Sequence, residues 1–200
     1  MQHISNFSDF HWINKPNDFE IEENSITIIT EPRTDYWQRT YYGFRNDNAH
    51  CFVIPVLEDQ FSFSVKTEFE PKNLFDQCGV VIYQDCDNWF KASVEFDNES
   101  YSRLGSVVTN LGYSDWASTD IDPKLTTMYY RLSRRGGDFL IENSENGETF
   151  KQMRIFHMHN EIDKVNLGVY ACSPLESSVK AVFSELSLGE CIWELFEEPK

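Results

Sequence analysis

Phe61-Ser62-Phe63-Ser64-Val65-Lys66-Thr67-Glu68-Phe69 alternates apolar residues with polar or charged ones almost from end to end. Successive side chains of a β-strand point to opposite faces, so this stretch reads as a strand with one dry and one wet face. Working outward, Phe90, Ala92, Val94 and Phe96 alternate with Trp89, Lys91, Ser93 and Glu95, and Val179, Ala181 and Phe183 alternate with Lys180 and Ser184. Further strands are predicted over 25–30, 51–56, 79–84, 104–109, 129–134, 139–143, 153–156 and 165–171. Asp97-Asn98, Arg135-Gly136-Gly137-Asp138 and Asn146-Gly147 supply turn chemistry between them, because Gly and Asn tolerate positive φ. No apolar 3.6-residue repeat persists beyond about two turns, so no sizeable helix is expected, and 75–78 could form at most a single turn. Many short strands separated by turns define a sandwich or barrel. No linker, low-complexity run or internal repeat interrupts the chain. We expect one domain, 1–200, with the first 20 residues and the acidic tail 190–200 peripheral, although Trp12, Ile192, Trp193 and Phe196 predict that both ends pack down.

A chain of 200 residues can bury one good core. Its hydrophobic fraction of 40% and its 16 Phe and 9 Tyr exclude disorder. The formal net charge of −16 disfavours nucleic acid and anionic membranes as partners, while neutral sugars, cations and basic protein surfaces remain compatible. The five cysteines, Cys51, Cys78, Cys86, Cys172 and Cys191, are odd in number and lack close paired spacing, which predicts reduced thiols. The opening residues Met1 to Asp9 lack a basic start followed by an apolar run, so a cytoplasmic location is expected.

Three stretches carry unusual aromatic density. They are Asp35-Tyr36-Trp37-Gln38-Arg39-Thr40-Tyr41-Tyr42-Gly43-Phe44, Asn110-Leu111-Gly112-Tyr113-Ser114-Asp115-Trp116 and Gly168-Val169-Tyr170-Ala171-Cys172-Ser173-Pro174. Together with Trp89-Phe90-Lys91-Ala92, Leu132-Ser133-Arg134-Arg135-Gly136 and Phe183-Ser184-Glu185-Leu186, they make residues 30–189 resemble a family of concanavalin A-like lectin/glucanase-fold domains. That family includes a fungal regulator of enolase. The resemblance implies an all-β jelly roll of two antiparallel sheets, one curved and presenting a concave face. It implies a non-catalytic cytosolic binding protein that regulates a metabolic enzyme such as enolase through protein contact. The alternative is a carbohydrate-binding module using the concave face, with a neutral sugar as ligand. A third reading is a glycoside hydrolase built on Glu95 and Asp97. No cofactor is expected.

Strand parity places Trp89, Lys91 and Glu95 on the face away from the core, since a one-residue slip would invert the whole set. Tyr83 and Tyr170 have the parity to join them from neighbouring strands, and Asn110, Tyr113 and Trp116 fall in what reads as a loop. Arg39 and Tyr42 form a further candidate wall, with Asp35 as a partner for Arg39. Aromatic faces with a few convergent polar groups are what a sugar ring requires. A covering loop would instead turn Trp89 and Tyr83 into secondary core. Glu95-Phe96-Asp97-Asn98-Glu99 matches the Glu-x-Asp-x-Glu pattern of laminarinase-type glycosidases, but Asp97-Asn98-Glu99-Ser100 reads as a hairpin turn rather than a strand interior. His157-Met158-His159 places two imidazoles on one strand face without a third ligand nearby, so no metal site is expected.

Overall fold

The computed structural model describes residues 1–159 and 163–196. In chain order the strands are β1 (Gln2–His3), β2 (His11–Ile13), β3 (Asp18–Ile21), β4 (Ser25–Ile29), β5 (Tyr36–Gln38), β6 (Arg45–Asp47), β7 (His50–Val56), β8 (Gln60–Phe69) and β9 (Gln77–Asp85). They continue with β10 (Asn88–Phe96), β11 (Ser102–Asn110), β12 (Tyr113–Ile121), β13 (Thr127–Arg135), β14 (Asp138–Ser144), β15 (Lys151–His157), β16 (Val165–Cys172) and β17 (Lys180–Gly189). No helix occurs among the described residues, and none is therefore long and apolar enough to cross a membrane.

Two antiparallel sheets face one another. One runs β15-β14-β13-β8-β17-β4-β3, with β1 added on β17, and the other runs β12-β11-β10-β9-β16-β7-β2. The alternation of β8 decides which side is dry. Phe61, Phe63, Val65 and Phe69 enter the core, where they join Leu132, Phe139 and Phe183 from their own sheet and Val80, Phe90, Ala92, Val94 and Val169 from the other. Phe90 stacks on Phe156 with ring centroids 4.1 Å apart, which ties the sheets together near one end. The turn residues behave as their chemistry demands. Gly136 adopts a φ of 61° between β13 and β14, and Gly147 a φ of 75° between β14 and β15.

Two features correct the sequence reading. Tyr113, Asp115 and Trp116 are not in a loop: they belong to β12, which pairs along the whole of β11. Leu111 and Gly112 make the tight turn, both at positive φ. β12 is a sheet edge, and its mostly exposed residues lack the apolar alternation that betrays a half-buried strand. The termini also differ from each other. Trp12 packs on Phe52 at 4.6 Å, but Ile192 and Phe196 are exposed and Trp193 is half-buried, the main chain there being held by Arg135 Nε donating to the Trp193 carbonyl at 2.8 Å and by the Ile192 amide donating to Ser62 Oγ at 3.0 Å. The end of the acidic tail, 197–200, lies outside the described residues.

Candidate functional site

The outer face of the seven-stranded sheet is where strand parity puts Trp89, Lys91, Ser93 and Glu95. Register confirms the neighbours: Trp89 lies opposite Tyr83 and Thr109, Lys91 opposite Val81 and Val107, and Glu95 opposite Gln77 and Arg103. The β5–β6 hairpin crosses half of this face. Its Tyr36 ring lies 5.3 Å from Trp89 and 5.8 Å from Tyr83. The Gln38 amide donates to Ser114 Oγ at 2.9 Å, and Arg45 ties the hairpin down through Gln38 at 2.8 Å and Asp87 at 2.7 Å. Tyr36, Cys51, Val53, Val81, Trp89, Tyr170 and Cys172 thus form a second hydrophobic cluster beneath it.

Trp89 and Tyr170 therefore sit on the expected face yet are 0% exposed, and neither ring is open to a ligand. Tyr83 is partly covered by the same hairpin. Arg39 does not pair with Asp35. Its Nη1 donates to the Gly112 carbonyl at 3.0 Å and its guanidinium lies 5.4 Å from the Tyr113 ring, so it clamps the hairpin to the β11–β12 turn. Asn110 is engaged at the same end, donating to the His157 carbonyl and accepting from the His159 amide, each at 3.0 Å. Of the ten expected site residues, the structure brings Tyr42, Lys91, Glu95 and Trp116 together and leaves the other six in these supporting positions.

Those four line a cavity of about 380 Å³ on the uncovered half of the face. Its floor is Gln77, Lys91, Ser93, Glu95, Ser106 and Val107. Trp37, Tyr42 and Phe44 of the hairpin form one wall, and Trp116, Arg103 and Phe75 stand around the rest of the rim with Leu175. Tyr42 packs edge-on against Trp37 at 5.4 Å and stacks on Phe44 at 5.6 Å, making a continuous aromatic surface. Gly105 lets Trp116 lie close over β11, since a Cβ there would meet the indole nitrogen at 3.0 Å. Gln77 and Arg103 were legible in principle. Gln77 shares the parity of Tyr83, and Arg103 faces Glu95 across a turn. The hairpin residues were not, because nothing local says where β5–β6 folds over.

The floor is a single polar network. Lys91 Nζ donates to Asp35 Oδ1 at 3.1 Å and to Gln77 Oε1 at 3.0 Å, and Tyr170 donates its hydroxyl to the same Gln77 oxygen at 2.9 Å. Gln77 Nε2 donates to Glu95 Oε2 at 2.8 Å and to the Phe75 carbonyl at 3.1 Å. Burial opposes the Lys91 ammonium, but Asp35, Cys172 and Glu95 outweigh it and raise its pKa. Burial pushes Glu95 the other way, towards its neutral form, up to about 7, with Lys91 and Arg103 opposing and Asp35 and Asp97 reinforcing the rise.

A pH dependence follows. The folded state holds the Glu95 proton more tightly than the unfolded chain, whose carboxyl titrates near 4.5. The stability this contributes is complete below that value and is lost as pH rises through about 7. Between these limits the wild type is expected to lose about 2 kcal/mol relative to Glu95→Gln, measured by urea denaturation at each pH. Parallel curves for the two proteins would show that the carboxyl is not held neutral.

Asp97 does not share the cavity with Glu95. Its Oδ2 accepts from Arg103 Nε at 2.8 Å, and Asn98 Oδ1 closes the turn by accepting from the Ser100 and Tyr101 amides at 2.8 and 3.3 Å. His157 and His159 have ring centroids 5.3 Å apart, and His157 Nδ1 bonds Asp138 at 2.7 Å. Among the described residues no group of three or more His, Cys, Asp or Glu could hold a metal ion. All five cysteines are free.

Fold and pocket together define a concanavalin-like β-sandwich whose second sheet carries a hairpin-walled cavity on its outer face. The chain belongs to the family of proteins of unknown function DUF1349, whose profile matches residues 12–191. It is 30% identical over 177 residues to Regulation of enolase protein 1 of Saccharomyces cerevisiae, spanning 88% of this chain and 87% of that protein. The crystal structure of a functionally unknown protein from Saccharomyces cerevisiae superposes with a TM-score of 0.86 at 28% identity, covering 93% of this chain and 98% of that one. The GH43 protein BlXynB of Bacillus licheniformis superposes with a TM-score of 0.71 at 13% identity, over 93% of this chain but 38% of that one, a likeness of fold alone.

Proposed function

We propose that this chain is a non-catalytic regulatory protein that senses a small carbohydrate in the outer-face cavity and acts by contact with a metabolic enzyme. The observation that carries the ligand half of this reading is the cavity itself. About 380 Å³ is within the range of small-molecule sites, and it combines an aromatic wall with a floor of hydrogen-bonding groups. Sugars need that pairing, since their rings offer apolar faces and their edges offer hydroxyls. The contact half rests on the relative named for regulation of enolase, and enolase is the partner to test first. Five free thiols favour a reducing compartment such as the cytosol. The absence of catalysis is supported by the placement of carboxylates. Retaining and inverting glycosidases need two of them across the scissile bond. Here Asp97 is taken up by Arg103, Asp35 is held by Lys91, and among the described residues Glu95 faces the cavity without a second free carboxylate.

The test is titration of neutral mono- and disaccharides by calorimetry and by tryptophan fluorescence. Trp116, 40% exposed at the rim, should report binding, and Trp116→Ala should weaken it about tenfold or more while leaving the melting temperature nearly unchanged. A parallel capture of purified enolase by the immobilised protein tests the partner. Absence of saturable binding by any sugar would overturn the ligand half, and failure to retain enolase would overturn the partner.

A further inference from the structure

Resting on that reading, we infer that the cavity is built for a carbohydrate that carries one positively charged amine, with Glu95 as its counter-charge and the Trp37–Tyr42–Phe44 wall as its cation-binding face. The other charged groups at this end of the sheet are already matched. Lys91 is bound to Asp35 at 3.1 Å, and Arg103 to Asp97 at 2.8 Å, with Asp120 at 4.0 Å beyond it. Glu95 is left. Its Oε2 accepts from the neutral Gln77 amide at 2.8 Å, and no cation is within ion-pair distance of it among the described residues. Lys91 and Arg103 act on it only across space, and Asp35 and Asp97 oppose them.

The wall agrees with this inventory. The Arg103 guanidinium lies 5.2 Å from the Tyr101 ring and 5.5 Å from Trp116, and Arg39 lies 5.4 Å from Tyr113. Among the described residues no Lys or Arg covers Trp37, Tyr42 or Phe44. Three electron-rich faces and one unmatched carboxylate meet at one cavity, which is the arrangement that attracts an ammonium group. Ser93, Ser106, Asn46 and Gln77 then serve hydroxyls, which favours an amine on a hydroxylated ring over a plain alkylammonium. Burial displaces the Glu95 carboxyl up to about 7, and an ammonium group placed against it would favour the ionised form and reverse that displacement.

D-glucosamine, D-glucose and N-acetyl-D-glucosamine distinguish the possibilities, titrated into the intact chain by calorimetry at pH 7 in two buffers of different ionisation enthalpy. Glucosamine should bind about tenfold more tightly than the two neutral sugars, and its binding should release protons as Glu95 ionises. In Glu95→Gln the preference should fall to near one and proton release should shrink to that of the neutral sugars. Phe44→Ala, at a half-exposed position outside both core clusters, should reduce the preference in part. Equal affinity for all three sugars, or a preference that survives Glu95→Gln, overturns the inference while leaving carbohydrate binding standing. Failure of all three to bind overturns both.

Discussion

Trp89→Ala is expected to destabilise the protein by about 3–5 kcal/mol, the range for removing a large ring from a closed interior. Trp89 is completely buried, with Tyr36 above it and Val81, Val107 and Tyr170 around it. Deleting the ring leaves a void under the β5–β6 hairpin that Tyr36, anchored by the hairpin's own hydrogen bonds, cannot fully occupy. Because that hairpin also provides the aromatic wall, loss of ligand binding in this variant should track loss of stability. Urea unfolding followed by circular dichroism measures the effect. A loss of less than about 1 kcal/mol, with binding abolished, would mean that the ring is reachable and that the hairpin stands open in solution.

Lys91→Met should cost about 3–5 kcal/mol, the penalty for leaving one member of a buried ion pair without the other. Lys91 and Asp35 have side chains only 6% and 15% exposed, and the same change strips Gln77 Oε1 of one of its two donors. Asp35 also accepts from the Tyr36 amide at 2.7 Å, so an uncompensated charge there loosens the start of the hairpin. A double-mutant cycle separates pairing from packing. Combining Lys91→Met with Asp35→Leu should recover a large part of the loss, since two apolar residues bury without a stranded charge. If the single variant is as stable as wild type, the pair is hydrated and contributes little.

Strand parity carried the sequence reading a long way. The alternation through Phe61–Phe69 and Trp89–Phe96 fixed which side chains meet between the sheets, because a period of two leaves one register per strand once charge marks the wet face. The same parity set Lys91 and Glu95 on the outer face, and turn chemistry put Asp97 beyond the end of the strand, where Arg103 holds it. Edge strand β12 was invisible because its exposure removes the alternation that signals a strand.

Which outer-face residues meet the cavity and which lie beneath a cover was decided only by the tertiary structure. Trp89 and Lys91 are two positions apart on one face, yet the first is sealed under Tyr36 and the second reaches the cavity floor. The difference lies in the β5–β6 hairpin, more than forty residues away in sequence. Local periodicity reports a residue's orientation relative to its own sheet. It carries no information about which distant segment packs on that face, because that choice is made by the summed long-range contacts of Gln38, Arg45 and Tyr36.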